Sequence, residues 1–352
     1  MNSFSLFVPG RLCLFGEHSD WAGGHRRSDP AIPPGMCLIT GTDQGVSAEI
    51  TRAASVFRIA SMTPDGESMG DVSIPMTRQA LDDASRRGGF ERYAAGVAAE
   101  ILSRWKVGGI EIVARRMDLP LRKGLSSSAA ICVLTARAFN RAYDLGLSLE
   151  TEMELAYRGE LRTGSECGRM DQACAFGATP TLLSFDGDQM TVERIRPPEP
   201  LYFLIVDLAG EKDTVRILAD LNRIFLNSGD SRHVTIREGL GGLNREIVRR
   251  ARAAVERGDR EGIGELMTEA QMVFDRYIAP CSPRELESPR LHRLLNDPDI
   301  RQVALGGKGV GSQGDGCAQF CLADDASREE LARLIDVKYG YRSFPATIAG
   351  DD

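Results

Sequence analysis

The segment from Pro120 to Ala130 reads Pro-Leu-Arg-Lys-Gly-Leu-Ser-Ser-Ser-Ala-Ala and leads directly into an apolar helical pattern at Ile131, Val133, Leu134 and Ala138. A glycine turn, three hydroxyls and two alanines at a helix mouth restrict what the chain can do there. The N–H groups of the first helical turn have no partner within the helix, and the helix dipole adds partial positive charge at the same end. The segment therefore makes a compact anion cradle. Gly124 lets the backbone come close to a ligand, and Ala129 and Ala130 keep side chains out of the way. The hydroxyls of Ser126, Ser127 and Ser128 can bond phosphate oxygens or ligate a hard cation such as Mg²⁺. The pattern is not that of a P-loop, which needs G-x-x-x-x-G-K-[ST]. Taken alone, a serine-rich helix cap is the simpler reading; segments elsewhere in the chain shift the balance.

A chain of 352 residues is long for one average core and predicts two packed domains. A net charge of −7 without blocks of like charge argues against a nucleic-acid surface. Arg249, Arg250 and Arg252 read as the solvated face of a helix. No apolar run reaches the length of a membrane span, and the first residues lack the apolar core of a signal peptide. Neither nucleic acid nor a membrane is expected as a partner. The eight cysteines do not form a disulfide scaffold, and neither Cys167/Cys174 nor Cys317/Cys321 has zinc-finger spacing. Reduced thiols in a cytoplasmic enzyme are the expectation.

Phe4 to Phe15 is strand-like, broken at Pro9-Gly10, and residues 25–35 read as a polar, proline-bearing loop before a strand from Met36 to Ile50. Tyr93, Val97, Ile101 and Trp105 at i+4 spacing predict a helix over 91–105. Ile110, Ile112 and Ala114 alternate as a strand, and Ser148 reads as the cap of a helix reaching about Leu161. The run Leu201 to Leu208 is a buried strand, and Pro197, Pro198 and Pro200 before it mark a seam between domains 1–197 and 198–352. Helices follow over 234–257 and 260–277. Strands at 303–305 and 318–322 flank a glycine-rich loop, and a last helix spans 327–338. Strands and helices mixed in both halves define an α+β fold.

Two other segments complete a set with the serine loop. The first, Pro9 to Gly24, reads Pro-Gly-Arg-Leu-Cys-Leu-Phe-Gly-Glu-His-Ser-Asp-Trp-Ala-Gly-Gly; the last, Gly306 to Cys317, reads Gly-Gly-Lys-Gly-Val-Gly-Ser-Gln-Gly-Asp-Gly-Cys. Together with Gly159-Glu160 and Gly168-Arg169-Met170-Asp171-Gln172, they resemble in order the signature motifs of the GHMP kinases (galactokinase, homoserine kinase, mevalonate kinase, phosphomevalonate kinase). Gly-Glu-His-Ser-Asp and Met-Asp-Gln look most like the galactokinase branch. The resemblance implies a two-domain fold, an N-terminal α+β domain and a ferredoxin-like C-terminal domain, with the active site in the cleft between them. It implies ATP and Mg²⁺ as cofactors. Lys123, Gly124, Leu125, Ser126, Ser127, Ser128 and Ala129 would wrap the nucleotide phosphates, and Gly309, Gly311 and Gly314 of the last motif would close over them.

The same resemblance assigns roles to single residues. Ser128 and Glu160 match the Mg²⁺ ligands, and two oxygens from separate elements suit an octahedral shell completed by phosphate and water; by itself Glu160 would read as a solvated helix-face carboxylate. Asp171 matches the group that accepts the substrate hydroxyl proton, and Arg11 the basic residue beside it, whose charge favours the ionised carboxylate. Without the family pattern, Asp171 reads as a helix-capping aspartate and Arg11 as half of a surface ion pair. Phosphoryl transfer needs such positioning and charge neutralisation more than covalent participation. Asp20, then Glu17 and His18, match the sugar-binding end of the first motif, since one carboxylate can accept hydrogen bonds from two neighbouring hydroxyls; His18 is nearly as well read as a core histidine bonded to backbone.

Two departures qualify the match. The last motif ends Gly311-Ser312-Gln313-Gly314-Asp315-Gly316-Cys317 where the family has small-Gly-x-Gly-Gly-Cys, and Asp315 near phosphates is unfavourable unless it faces away or meets a cation. A glycine-rich hairpin turn is the alternative there. Residues His25 to Pro30 are an insertion relative to galactokinases, and Arg26 and Arg27 suit either an acidic ligand or a solvated loop. The expected activity is ATP-dependent phosphorylation of a hydroxyl on a sugar or sugar derivative by a monomer or homodimer. The alternatives are a mevalonate-type or amino-alcohol kinase and a non-catalytic sensor of ATP and sugar.

Overall fold

The computed structural model describes residues 3–119, 124–165 and 167–348. Its first half contains β1 (Phe4–Phe15), α1 (Ser19–Gly24), β2 (Gly35–Ala53), β3 (Val56–Met62), β4 (Ser68–Pro75), α2 (Arg78–Arg86), α3 (Arg92–Leu102), β5 (Gly109–Met117), α4 (Ser127–Tyr143) and α5 (Leu149–Leu161). Then come β6 (Thr181–Asp186), β7 (Gln189–Arg194), β8 (Leu201–Asp207), α6 (Thr214–Leu226), α7 (His233–Glu238), α8 (Asn244–Arg257) and α9 (Arg260–Tyr277). The chain closes with α10 (Pro283–Leu286), α11 (Pro289–Leu295), α12 (Pro298–Val303), β9 (Gly306–Gly309), β10 (Cys317–Leu322), α13 (Asp325–Tyr339) and β11 (Ser343–Ile348).

These elements form two compact units, Met1–Arg11 with Gly41–Gly177 and Leu12–Thr40 with Ala178–Asp352. The division is discontinuous, whereas the prolines near 197 suggest a single seam; residues 12–40 and 178–197 go with the C-terminal residues. The cause lies in β2. Its Gly35–Ile39 portion pairs with β6, and its Val46–Ala53 portion pairs with β5. β1 runs unbroken through Pro9-Gly10, with every residue from Val8 to Phe15 buried. Gly10 suits this packed position, because a Cβ there would lie 2.4 Å from Leu119 Cδ2 and 2.9 Å from the Leu125 carbonyl oxygen.

In the first unit the sheet order is β4-β3-β5-β2, with β3 parallel to β5 and the other pairs antiparallel. Helices α3, α4 and α5 pack on one another. α3 buries every residue from Ala94 to Ala99 and Ile101; of the residues at the expected spacing Val97 and Ile101 are buried, Tyr93 is half-buried, and Trp105 lies beyond the helix end at Leu102. α5 starts at Ser148, whose hydroxyl accepts from the Thr151 N–H at 3.3 Å, and it ends at Leu161. Where α3 crosses α5, Gly96 and Gly159 let the backbones touch: a Cβ on Gly96 would sit 2.2 Å from the Gly159 carbonyl oxygen.

In the second unit β8, β9, β10 and β11 form an antiparallel sheet in the order β11-β8-β10-β9. Numbered from β8 this is 4-1-3-2 in a β-α-β-β-α-β frame, the ferredoxin-like arrangement, with a multi-helix crossover between β8 and β9. Leu204, Val206, Leu291, Ile300, Phe320 and Leu331 share one buried cluster, while Ile217, Leu221, Phe225, Ile236 and Phe274 share another with Ala22 and Ile32. The helix expected over 234–257 is interrupted by a π-helical turn at Gly239–Leu243. The strand expected at 303–305 lies instead at Gly306–Gly309, and Val303 ends α12. Bare glycines make that strand because neighbours occupy their side-chain space: a Cβ on Gly306 would be 1.9 Å from the Gly264 carbonyl oxygen. The last motif thus begins as a strand and does not merely join two.

Candidate active site

Arg11 is at the end of the part of β1 that belongs to the first unit, and its N–H donates to the Leu125 carbonyl at 3.1 Å. That bond stitches the strand to the serine loop. The Arg11 side chain is buried; its Nη2 donates to Ser126 Oγ at 2.8 Å and forms an ion pair with Asp171 Oδ1. Ser126 Oγ in turn donates to Asp171 Oδ1 at 2.9 Å. Ser126 is left-handed at φ 57°, an unfavourable backbone for serine that turns its hydroxyl away from the helix end. It makes no side-chain cap bond to α4, so the capping reading of the serines fails. Asp171 opens a 3₁₀ turn over Asp171–Phe176 and keeps 32% of its side chain exposed, against 4% for Arg11. A fixed guanidinium and a fixed hydroxyl thus hold an accessible carboxylate.

The second pair sits in the same unit. Ser128, in the first turn of α4, donates from Oγ to Glu160 Oε1 at 2.9 Å. Gln172 Nε2 donates to Glu160 Oε2 at 2.8 Å, so both carboxylate oxygens are held. Glu160 faces inward because Gly159 brings α5 against Val97 of α3. Burial, followed by the negative charge of Asp171, pushes the Glu160 carboxyl up to about 7. Gln172 lies in the Met170-Asp171-Gln172 segment, yet its role as the second clamp on Glu160 is not readable from sequence.

Along the loop, Gly124 is left-handed at φ 83°, Leu125 and Ala129 are buried, and Ser127 starts α4. Lys123, with Pro120 to Arg122, lies outside the described residues. Among the described residues, no group of three or more His, Cys, Asp or Glu side chains is arranged to hold a metal ion.

In the second unit Glu17 does not stand alone. Lys308, the one charged residue of β9, forms a buried ion pair with Glu17 Oε1 and donates to the Gly309 carbonyl at 3.0 Å. His18 is buried and left-handed at φ 66°, and its Nδ1 faces Trp21 Nε1 at 3.2 Å. Asp20 is in the first turn of α1. On the last motif, the Gly309 N–H donates to Gln271 Oε1 at 2.8 Å, and a Cβ on Gly309 would meet Gln313 Oε1 at 2.0 Å. Gly311 and Gly314 are left-handed at φ 64° and 74°. Lys212 Nζ donates to the Gln313 carbonyl at 2.8 Å and holds this loop. Asp315 turns to the start of α11, accepting the N–H groups of Arg290 and Leu291 at 3.0 Å each, which disposes of its charge.

The inserted residues are anchored within this unit. Arg26 pairs with Asp186 at 2.5 Å and donates to the Pro30 and Ile32 carbonyls; Arg27 pairs with Asp188 at 3.2 Å. Asp29 accepts from Arg237 at 2.8 Å, and His25 Nε2 lies 2.9 Å from Asn222 Oδ1. Both arginines are thus committed to carboxylates of this chain.

A family model described as the GHMP kinases N terminal domain matches residues 92–178, the stretch that holds the serine loop, Glu160 and Asp171. The galactokinase of Actinobacillus pleuropneumoniae serotype 3 is 24% identical over 365 residues, covering 95% of this chain and 89% of that protein. The galactokinase of Thermococcus kodakarensis is 26% identical over 368 residues, covering 97% and 95%. Among solved structures, Lactococcus lactis galactokinase complexed with galactose superposes with a TM-score of 0.74 at 18% identity, covering 99% of this chain and 94% of that one. Methanococcus jannaschii mevalonate kinase gives 0.73 at 16% identity, covering 99% of both. Residues 92–178 thus match the GHMP kinase N-terminal domain, and small-molecule kinases are the class of protein that the chain resembles in sequence and fold. Within that class its curated sequence relatives above are galactokinases, whereas the fold is shared just as closely with a mevalonate kinase.

Proposed function

We propose that the chain is an ATP- and Mg²⁺-dependent kinase that phosphorylates a hydroxyl of a sugar or sugar derivative. The observation that carries this reading is the Asp171 carboxylate fixed between the Arg11 guanidinium and the Ser126 hydroxyl. A carboxylate so held is oriented to accept the proton of an attacking hydroxyl, and its partner guanidinium offsets negative charge on a transferring phosphoryl group. Ser126 fixes the carboxylate rotamer, which keeps the accepting oxygen in place.

The donor set fits Mg²⁺. Ser128 Oγ and Glu160 Oε1 are two hard oxygens 2.9 Å apart, and Glu160 is a buried carboxylate whose ionised form burial and the Asp171 charge disfavour and a cation would stabilise. Ser128 and Glu160 would hold the ion, with Gln172 orienting the carboxylate. When bound, Mg²⁺ neutralises charge on nucleotide phosphates. The serine loop supplies the N–H groups of the first turn of α4 to the phosphates. Asp20, Glu17 and His18 recognise the sugar hydroxyls, and the galactokinase relatives favour a sugar over mevalonate or an amino alcohol.

Incubation with ATP, Mg²⁺ and a panel of monosaccharides, mevalonate and homoserine tests the reading. Sugar-dependent ADP release is the expected result. Asp171→Asn should lower kcat by roughly 10²–10⁴ while ATP binding persists. Full turnover in Asp171→Asn, or turnover of mevalonate or homoserine alone, would overturn it.

A further inference from the structure

The first motif carries a tryptophan three residues after its histidine, and the structure gives that tryptophan a task. Trp21 Nε1 lies 3.2 Å from His18 Nδ1. An indole N–H can only donate, so the Nδ1 that receives it must present a lone pair. A neutral imidazole with Nδ1 bare carries its proton on Nε2. An imidazolium has N–H on both nitrogens and would set donor against donor. His18 is left-handed immediately before α1, and the contact joins its ring to the third residue of that helix. On its other side the His18 ring stacks on Phe274, with centroids 6.1 Å apart and planes at 27°.

Trp21 is itself held in place. Its ring meets Phe225 edge-on at 5.4 Å and His25 at 6.1 Å. Phe225 is buried, and His25 is tied through Nε2 to Asn222 Oδ1 at 2.9 Å. His25 is the first residue of the insertion that separates this chain from the galactokinase pattern. The insertion therefore walls in Trp21, and Trp21 sets His18.

We propose that Trp21 is a positioning residue that holds His18 neutral with its proton on Nε2, so that the histidine serves substrate recognition as a hydrogen-bond donor of fixed orientation. The substrate atom it meets is then an acceptor oxygen, such as a sugar hydroxyl oxygen, and His18 is not a proton-transfer group. This rests on the sugar-kinase reading for its consequence in turnover, but not for the tautomer.

The test uses the full chain with ¹⁵N-labelled histidine. The sequence has four histidines, and loss of one set of signals in His18→Gln assigns that ring. In the wild type, His18 should show a bare Nδ1 and a protonated Nε2 without sugar or nucleotide. Trp21→Phe keeps an aromatic edge against Phe225 but removes the indole donor. It should mix the two tautomers and raise KM for the accepted sugar roughly two- to tenfold, the worth of one hydrogen bond, with kcat moving less. If Trp21→Phe does not fold, His25→Ala, which removes one wall of the tryptophan site, should show the same mixing. A wild-type His18 protonated on Nδ1 or on both nitrogens overturns the proposal, as does a Trp21→Phe protein with unchanged tautomer and unchanged KM. Absence of turnover on every sugar would count against the sugar reading alone, because the spectra decide the tautomer without it.

Discussion

Lys308→Met probes a fully buried ion pair that joins the first and last motifs. The Lys308 and Glu17 side chains are 1% and 5% exposed, and the lysine also donates to the Gly309 carbonyl. Removing the ammonium leaves an ionised carboxylate where water cannot replace its partner, which costs about 3–5 kcal/mol. Glu17→Gln leaves the mirror problem, softened by the Gly309 carbonyl, and should cost less. Removing both charges together should return the protein to within about 1–2 kcal/mol of wild type, a coupling of about 3 kcal/mol in a double-mutant cycle. The chain has two tryptophans, Trp21 in the same unit as the pair and Trp105 in the other. In a Trp105→Phe background, urea unfolding followed by fluorescence therefore reports on Trp21 and its own unit, which avoids mixing two transitions. Single variants that each cost under about 1 kcal/mol, or a double variant as damaged as the sum of the singles, would refute the reasoning. The same series separates two roles for Glu17. Turnover that returns with stability in the double variant makes the pair a brace; stability without turnover means that the carboxylate itself meets substrate.

Glu160→Gln should invert its effect with conditions. The folded-state value of about 7 lies above the usual 4.5, so the stability tied to this carboxyl is fully present below about pH 4.5 and lost as pH rises through about 7. At pH 8 the difference amounts to about 3 kcal/mol against the metal-free fold, and the amide variant should melt higher than wild type there but not at pH 5. With Mg²⁺ and ATP the order should reverse, since only the carboxylate binds the ion; equal stabilisation of both proteins by Mg²⁺-ATP would remove Glu160 from the metal site. Gly159→Ala puts a Cβ 2.4 Å from Val97 Cγ2 and 2.6 Å from the Val97 backbone. It should cost about 1–3 kcal/mol by thermal melt and weaken Mg²⁺-nucleotide binding, because α5 must move and take Glu160 with it. An Ala variant with wild-type melting and binding would show that the α3–α5 contact does not set the carboxylate.

Elements with a sustained side-chain period are legible in the amino-acid order itself. The i+4 spacing of Tyr93, Val97, Ile101 and Trp105 predicts α3, although the helix stops at Leu102 before Trp105, and Ser148 with its following glutamates predicts α5 to its last residue. The failures share a cause, which is that the deciding contact comes from another element. β9 is three glycines and a lysine, with no pattern to read, and it becomes a strand because β10 pairs with it and Gly264 lies against its backbone. The division into units is hidden in β2, whose sequence carries no mark where its pairing passes from β6 to β5. The π-helical turn at Gly239–Leu243 is likewise invisible to a 3.6-residue period, although its three glycines weaken the helix there and Pro33 packs at the Gly241 position, 3.1 Å from where a Cβ would be.

The same distinction runs through the site. The residues proposed above to carry the chemistry in a single side chain, Asp171, Arg11 and Ser128, come from motif order. Residues that act by holding another side chain do not, although three of them lie inside the motifs. Lys308, Gln172 and Trp21 each take up a group on a neighbouring motif residue: the Glu17 carboxylate, the Glu160 carboxylate and the His18 ring. Two of them do carry a signal. A lysine flanked by glycines in a segment bounded by apolar strands needs a partner for its charge wherever the fold buries it. A donor-only indole three residues after a histidine, at a helix start, has that ring within reach. Both inferences need only donor and acceptor inventories applied to buried polar residues. They show why a motif read as a list of reacting groups misses the residues that aim them.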